Sequence, residues 1–130
     1  MCTEPKFFLC KHCGNLIHMI ENSGVSVVCC GTEMKELVAN TSDGAKEKHV
    51  PVVEGKGKNI TVTVGSTLHP MVEEHFIAWI FVKTNQGSHR KCLKAGGEPI
   101  AEFALSEGEK VLEVYEYCNI HGLWKVAVED

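Results

Sequence analysis

The chain has 130 residues, 44% of them hydrophobic, and a formal net charge of −4 from 17 acidic and 13 basic side chains. That length buries one ordinary core with room for a small appended module, which excludes two large domains. Without a cluster of Lys and Arg the charge makes no field to hold a phosphate backbone or anionic lipid, so neither nucleic acid nor a membrane is an expected partner.

In chain order, residues 1–36 are short of apolar segments and punctuated by Gly14, Gly24 and Gly31. Such a piece cannot fold by burial alone. Residues 37–48 include ANTSDGAKEK, polar and small, and read as a linker with turn chemistry at Ser42, Asp43 and Gly44. From residue 49 to 130 the character changes to seven strand-length runs, VPVV, NITVTV, FIAWIFVKT, SHRKCL, PIAEFAL, KVLEVYEY and LWKVAV, separated by Gly, Asn, Pro or Ser. In NITVTV, Ile60, Val62 and Val64 alternate with polar residues, as in a half-buried strand, whereas FIAWIFV is apolar on both faces and suits a central one. Seven short strands in about 80 residues predict an antiparallel β-sandwich of immunoglobulin-like size. No helix longer than a turn or two is expected.

Seven cysteines need explaining, because MCTEPKFF lacks the basic and apolar regions of an export signal and a reducing cytoplasm, the expected location, does not keep disulfides. Metal is the leading alternative. Cys10, Cys13, Cys29 and Cys30 form CKHC and, after fifteen intervening residues, CC. Four thiolates close a tetrahedral site with no open position, which suits structural zinc or one-electron iron. The adjacent pair departs from the spaced second pair of zinc ribbons and favours iron. Cys92, within a strand pattern, reads as a packed thiol, and Cys2 as part of a disordered terminus.

A second constellation assembles from EKHVP, LHPMVEEHF and CNIHG, which carry His49 at the start of the first strand, His69 and His75 around a short turn, and Cys118 with His121 in a break between strands. His12, His18 and His89 are assigned to ordinary surface or core roles, and Glu73 and Glu74 to solvent-facing charge. Without the adjoining ligand, the charges of KEKH would read as a solvated loop end.

These motifs, in this order and over nearly the whole chain, resemble the desulfoferrodoxins, the two-iron superoxide reductases. The resemblance implies two Fe per chain: a desulforedoxin-like module in which Cys10, Cys13, Cys29 and Cys30 hold one iron, and a β-sandwich in which His49, His69, His75 and His121 supply four equatorial imidazoles and Cys118 an axial thiolate. It implies one-electron reduction of superoxide to hydrogen peroxide, re-reduction by an external donor such as rubredoxin, and a homodimer. Five protein ligands leave the sixth octahedral position open, and an anionic sulfur opposite pushes electron density toward whatever binds there. Lys48 is expected to draw in the anion, and Glu47 to occupy the sixth position after peroxide has left. Backbone N–H groups of Asn119 and Ile120 are expected to point at the Cys118 sulfur. A dismutase, a pure electron carrier and a zinc-stabilised β-sandwich binding module are the competing readings.

Overall fold

The computed structural model describes residues 4–55 and 57–128. Cys2 lies outside them. The chain divides into two compact units, one ending at Val38 and the other beginning at Ala39.

In the first unit, β1 (Lys6–Leu9) pairs antiparallel with β2 (Leu16–Met19). A two-residue hairpin of β3 (Val28–Cys29) and β4 (Thr32–Glu33) precedes β5 (Lys35–Glu36), which joins the other edge of β1. Among its described residues, Phe7, Cys10 and Met34 are the buried apolar ones, while Ile20, Val25, Val28 and Val38 stay exposed. So small a core stabilises little by burial, which leaves bound metal as the remaining source of order.

The second unit opens with α1 (Lys46–His49), a single helical turn, followed by β6 (Pro51–Glu54), β7 (Asn59–Val64), β8 (Ile77–Thr84), β9 (Ser88–Cys92), β10 (Ile100–Ala104), β11 (Val111–Cys118) and β12 (Gly122–Ala127). These are the seven strands read from the sequence. They form one sheet ordered β10-β7-β6 and another ordered β12-β11-β8-β9, with every pairing antiparallel. The alternation in β7 works as expected, since Ile60, Val62 and Val64 are buried and Thr61 and Thr63 only partly so. β8, apolar on both faces, is central in its sheet and joins Ile60, Val62, Val64, Val82, Phe103 and Val114 in one core.

Two details differ from the sequence reading, and a third has no counterpart in it. His49 ends α1 and does not begin a strand; β6 starts at Pro51, whose missing N–H suits a first strand position. Cys92 is exposed on β9, with Nη1 of Arg90 at 2.8 Å from its sulfur, because β9 is an edge strand with little packed over it. Glu116, inside the apolar pattern of β11, is fully buried.

The turns far along β8 and β10 are joined by one carboxylate. Glu109 accepts hydrogen bonds from Oγ1 of Thr84 at 2.6 Å and N–H of Ser106 at 2.9 Å, and Nε2 of His89 lies at 2.9 Å. These donors, the Thr84 hydroxyl first, lower its pKa from 4.5 to about 2. A depressed carboxylate contributes stability that is present above its unfolded value and lost as pH falls through the folded one. Glu109→Gln is therefore expected to unfold at lower urea concentration than the parent at pH 7, with the two midpoints converging toward pH 2. A constant gap across that range would remove the ionised carboxylate from the account.

Candidate metal centres

The first group is local. Cys10 Sγ, Cys13 Sγ, Cys29 Sγ and Cys30 Sγ lie within 4.8 Å of one another. The CKHC turn is closed by Gly14 N–H to Cys10 O and Cys10 N–H to Asn15 O, each at 2.8 Å. Adjacent residues on a pleated strand send their side chains to opposite faces. The left-handed backbone of Cys30, φ 53°, breaks that pleat just after β3 and lets both neighbouring thiols join one group. Asn15 serves the sulfurs too, its N–H reaching Cys13 at 3.5 Å and its Nδ2 reaching Cys29 at 3.6 Å.

Protonation in this group is uneven. The Cys13 backbone N–H, above all, holds Cys10 down to about 6, whereas the hydrogen bond with the Cys13 thiol, first among several causes, pushes Cys30 up to about 12. Thiols that share protons this way release them to an incoming cation, so metal uptake strengthens as pH rises.

The second group draws on four separate segments. Neighbouring imidazoles, taken as His49, His69, His75, His121 and back to His49, have ring centroids 4.7, 4.5, 5.0 and 4.7 Å apart and lie at 69° to 86° to each other. The diagonal from His49 to His75 is 6.3 Å, with the rings only 31° apart. Those distances describe a square with rings set like propeller blades. Ligand atoms of His49, His75, Cys118 and His121 all fall within 4.8 Å of one another, and Nε2 of His69 is 3.2 Å from Nε2 of His49.

Three of the four ring-bearing residues are held by partners behind them. Nδ1–H of His49 donates to Ala45 O at 2.7 Å and Nδ1–H of His69 to Pro70 O at 2.6 Å, which leaves Nε2 of both with a free lone pair facing inward. His121 turns its Nδ1 inward, 3.0 Å from Nε2 of His49 and 3.9 Å from Sγ of Cys118. Trp124 stacks on His49 at 5.0 Å between centroids and donates its Nε1–H to His121 O at 3.1 Å, so one indole indexes two neighbouring rings. Ser42 Oγ also donates to His121 O. Gly44 closes over this pair: a methyl there would lie 2.9 Å from Cε1 of His49 and 2.9 Å from Cζ2 of Trp124.

The donors fit a cation. Nε2 of His75 is buried without a hydrogen-bond partner. Burial, with mutual repulsion behind it, holds His69 down to about 4 and lowers His75; in His49 burial leads and the Ala45 carbonyl only partly opposes it. Imidazole nitrogens whose lone pairs converge are what a borderline-soft metal binds. Cys118 is fully buried; burial raises its thiol, and the N–H groups of His121 and Ile120 oppose that rise.

The expectation for Asn119 needs correcting. Its backbone N–H donates to Phe76 O at 3.2 Å, not to sulfur; the donors to Cys118 are Ile120 and His121, the latter at 3.4 Å. The Asn119 side chain accepts from Phe76 N–H at 2.9 Å and donates to Glu74 O at 3.0 Å, which staples the Cys118 loop to the His75 loop. Glu47 and Lys48 are exposed on α1, and the Lys48 ammonium is close enough to His49 and His75 to lower both.

Comparison with known proteins gives the same answer from another direction. The desulfoferrodoxin family profile matches residues 41–127. A desulfoferrodoxin of Nitratidesulfovibrio vulgaris is 46% identical over 96% of this chain and 98% of its own length, and one of Syntrophotalea carbinolica 45% identical over 95% and 97%. The crystal structure of the superoxide reductase from Treponema pallidum superposes with a TM-score of 0.82 at 44% identity, covering 95% of this chain and 99% of that one. A one-iron superoxide reductase from Giardia intestinalis matches with a TM-score of 0.55 at 34% identity, over 65% of this chain and 100% of its own. With both donor groups assembled and the likeness running through the four-cysteine unit as well as the sandwich, this chain belongs to the desulfoferrodoxin family.

Proposed function

We propose that this protein reduces superoxide to hydrogen peroxide by one electron at the histidine ring, with iron at both donor groups. The carrying observation is the square of four imidazoles beside one buried thiol that accepts from backbone amides. His49, His69, His75, His121 and Cys118 would hold the iron, which would supply the electron to a small anion. Cys118 would be the anionic donor to the iron, its charge tempered by the Ile120 and His121 amides. Lys48, exposed beside the ring, raises the local concentration of superoxide and stabilises negative charge as peroxide forms. Glu47 is the carboxylate we assign to the same face, filling it once product has gone. Protons come from water, which the exposed α1 turn admits.

The four-thiol group has no position for substrate, so we assign it a structural and electron-relaying role. The boundaries we favour remain a metal module over residues 1–36, a linker over 37–48 and a reductase domain over 49–130. A rubredoxin-type carrier is the proposed donor and a homodimer the proposed assembly, since the first unit leaves Ile20, Val25 and Val28 exposed. Cytoplasmic location is the matching proposal; among the described residues no helix is long and apolar enough to cross a membrane.

The test is stoichiometric. Pre-reduced, iron-loaded protein is mixed with superoxide, and peroxide, dioxygen and iron oxidation are followed together. One peroxide per superoxide with ferrous iron consumed is expected. One per two, with dioxygen evolved, would make the protein a dismutase, and no reaction would leave an electron carrier.

A further inference from the structure

The turn that carries Lys48 cannot hold itself in place. α1 is four residues long, its N-cap Ala45 offers no side-chain hydrogen bond, and a helix that short is not stable in isolation. The helix would pair the carbonyl of Glu47 with the N–H four residues on, but that residue is Pro51 and has none.

Donors from a distant segment take over. Thr67 N–H reaches Glu47 O at 2.8 Å and Ser66 Oγ at 3.2 Å. Their turn is closed by Gly65 N–H to Thr67 O at 3.3 Å and leads into His69, whose N–H donates to Val64 O at 2.9 Å. Gly65 lies directly against the helical turn. A methyl at this position would stand 2.7 Å from Glu47 O, 3.0 Å from the Lys48 carbonyl carbon and 3.0 Å from Val50 O. All three are backbone atoms, so none can rotate away and the turn itself would have to move.

We propose that Gly65, Ser66 and Thr67 are positioning residues, a clamp that fixes the Glu47–Lys48 turn against the loop bearing His69 and so sets where the Lys48 ammonium stands relative to the histidine ring. The inference rests on the role given to Lys48 above. Gly65 contributes by lacking a side chain, Thr67 through its amide and Ser66 through its hydroxyl.

Four iron-loaded proteins test it: the parent, Gly65→Ala, Lys48→Ala and the double variant. Two quantities are read, hydrogen–deuterium exchange over residues 45–50 and the second-order rate with superoxide at low and high ionic strength. Gly65→Ala is expected to speed exchange in that segment and lower the low-salt rate by about tenfold, within the roughly hundredfold that misplacing catalytic groups by an ångström can cost. It is expected to flatten the salt dependence and cost nothing further once Lys48 is alanine, while the visible absorption of both centres persists. Unchanged exchange over 45–50, or an equal loss in both backgrounds, would overturn the clamp. If Gly65→Ala does not take up iron, Ser66→Ala is read in the same way, with a smaller loss and the same dependence on Lys48. A Lys48→Ala rate equal to the parent's would be a failure of the parent reading, and the exchange data would still decide whether the clamp exists.

Discussion

Cys118→Ser is expected to bring the reaction with superoxide to background while the four-cysteine centre keeps its metal and its colour. The side chain sits at the end of β11, fully buried, with two amide N–H groups directed at its sulfur. A serine of nearly the same shape fits that space, but its hydroxyl stays protonated and its oxygen is a harder, neutral donor. The ring would then hold iron through imidazoles alone, without the anionic charge that favours giving up an electron. Because Cys10, Cys13, Cys29 and Cys30 belong to a different compact unit, their absorption reports that folding and loading of that unit are intact. Rapid mixing with superoxide, with iron counted per chain, decides the matter. Full activity in the serine variant would eliminate Cys118 as the anionic ligand.

Glu116→Gln is expected to stabilise the fold at neutral pH, although Glu116 lies in the centre of β11 and looks indispensable. Both carboxyl oxygens are buried and unpartnered, and the strand register places the residue between Ile80 and Trp124. Burial raises its pKa from 4.5 to about 9. The unfolded chain therefore gives up this proton above its ordinary value while the folded chain keeps it, and folding becomes more costly as pH rises between the two. At ~1.4 kcal/mol per pKa unit the cost at pH 7 is about 3 kcal/mol, and glutamine, which never ionises, avoids it. Urea unfolding of parent and variant in the same metal state should show a gap of that order at pH 7, shrinking toward zero near pH 4. A gap independent of pH would mean that the carboxyl is ionised in the folded protein.

The sandwich was legible because its signals are local. Alternation in NITVTV and the two-faced apolar run FIAWIFV set the exposure of β7 and the central place of β8, and the breaks between runs fell at the observed turns. The four thiols and the five donors of the ring were legible as family motifs. What escaped was the support that one segment gives to the ligands of another. Trp124 reads as one more apolar residue of β12, and nothing in its neighbourhood says that it backs His49, 75 residues earlier in sequence. Asn119, expected to aim its backbone N–H at the Cys118 sulfur, proves to be a staple between ligand loops. Gly44 and Gly65 read as ordinary turn glycines, and their demand is for absent volume, which leaves no trace in the alphabet. Glu116 broke the apolar pattern of its strand, the one signal of this kind that a closer reading of β11 would have caught.

The two centres also differ in what holds them together. Cys13 and Cys29, in contact across the first group, are 16 residues apart, whereas His49 and His121 are 72 apart. Closing the longer loop costs only modestly more chain entropy, but it also requires the sandwich, since Trp124 on β12 and the staple from Asn119 hold the rings. A ring so supported is held by packing as well as by its ion. The thiols sit in a unit with Phe7, Cys10 and Met34 for a core, and once emptied little there resists unravelling or oxidation. Removal of metal is therefore expected to cost the first unit its order and leave the second folded, which amide hydrogen exchange of the chelated protein would show.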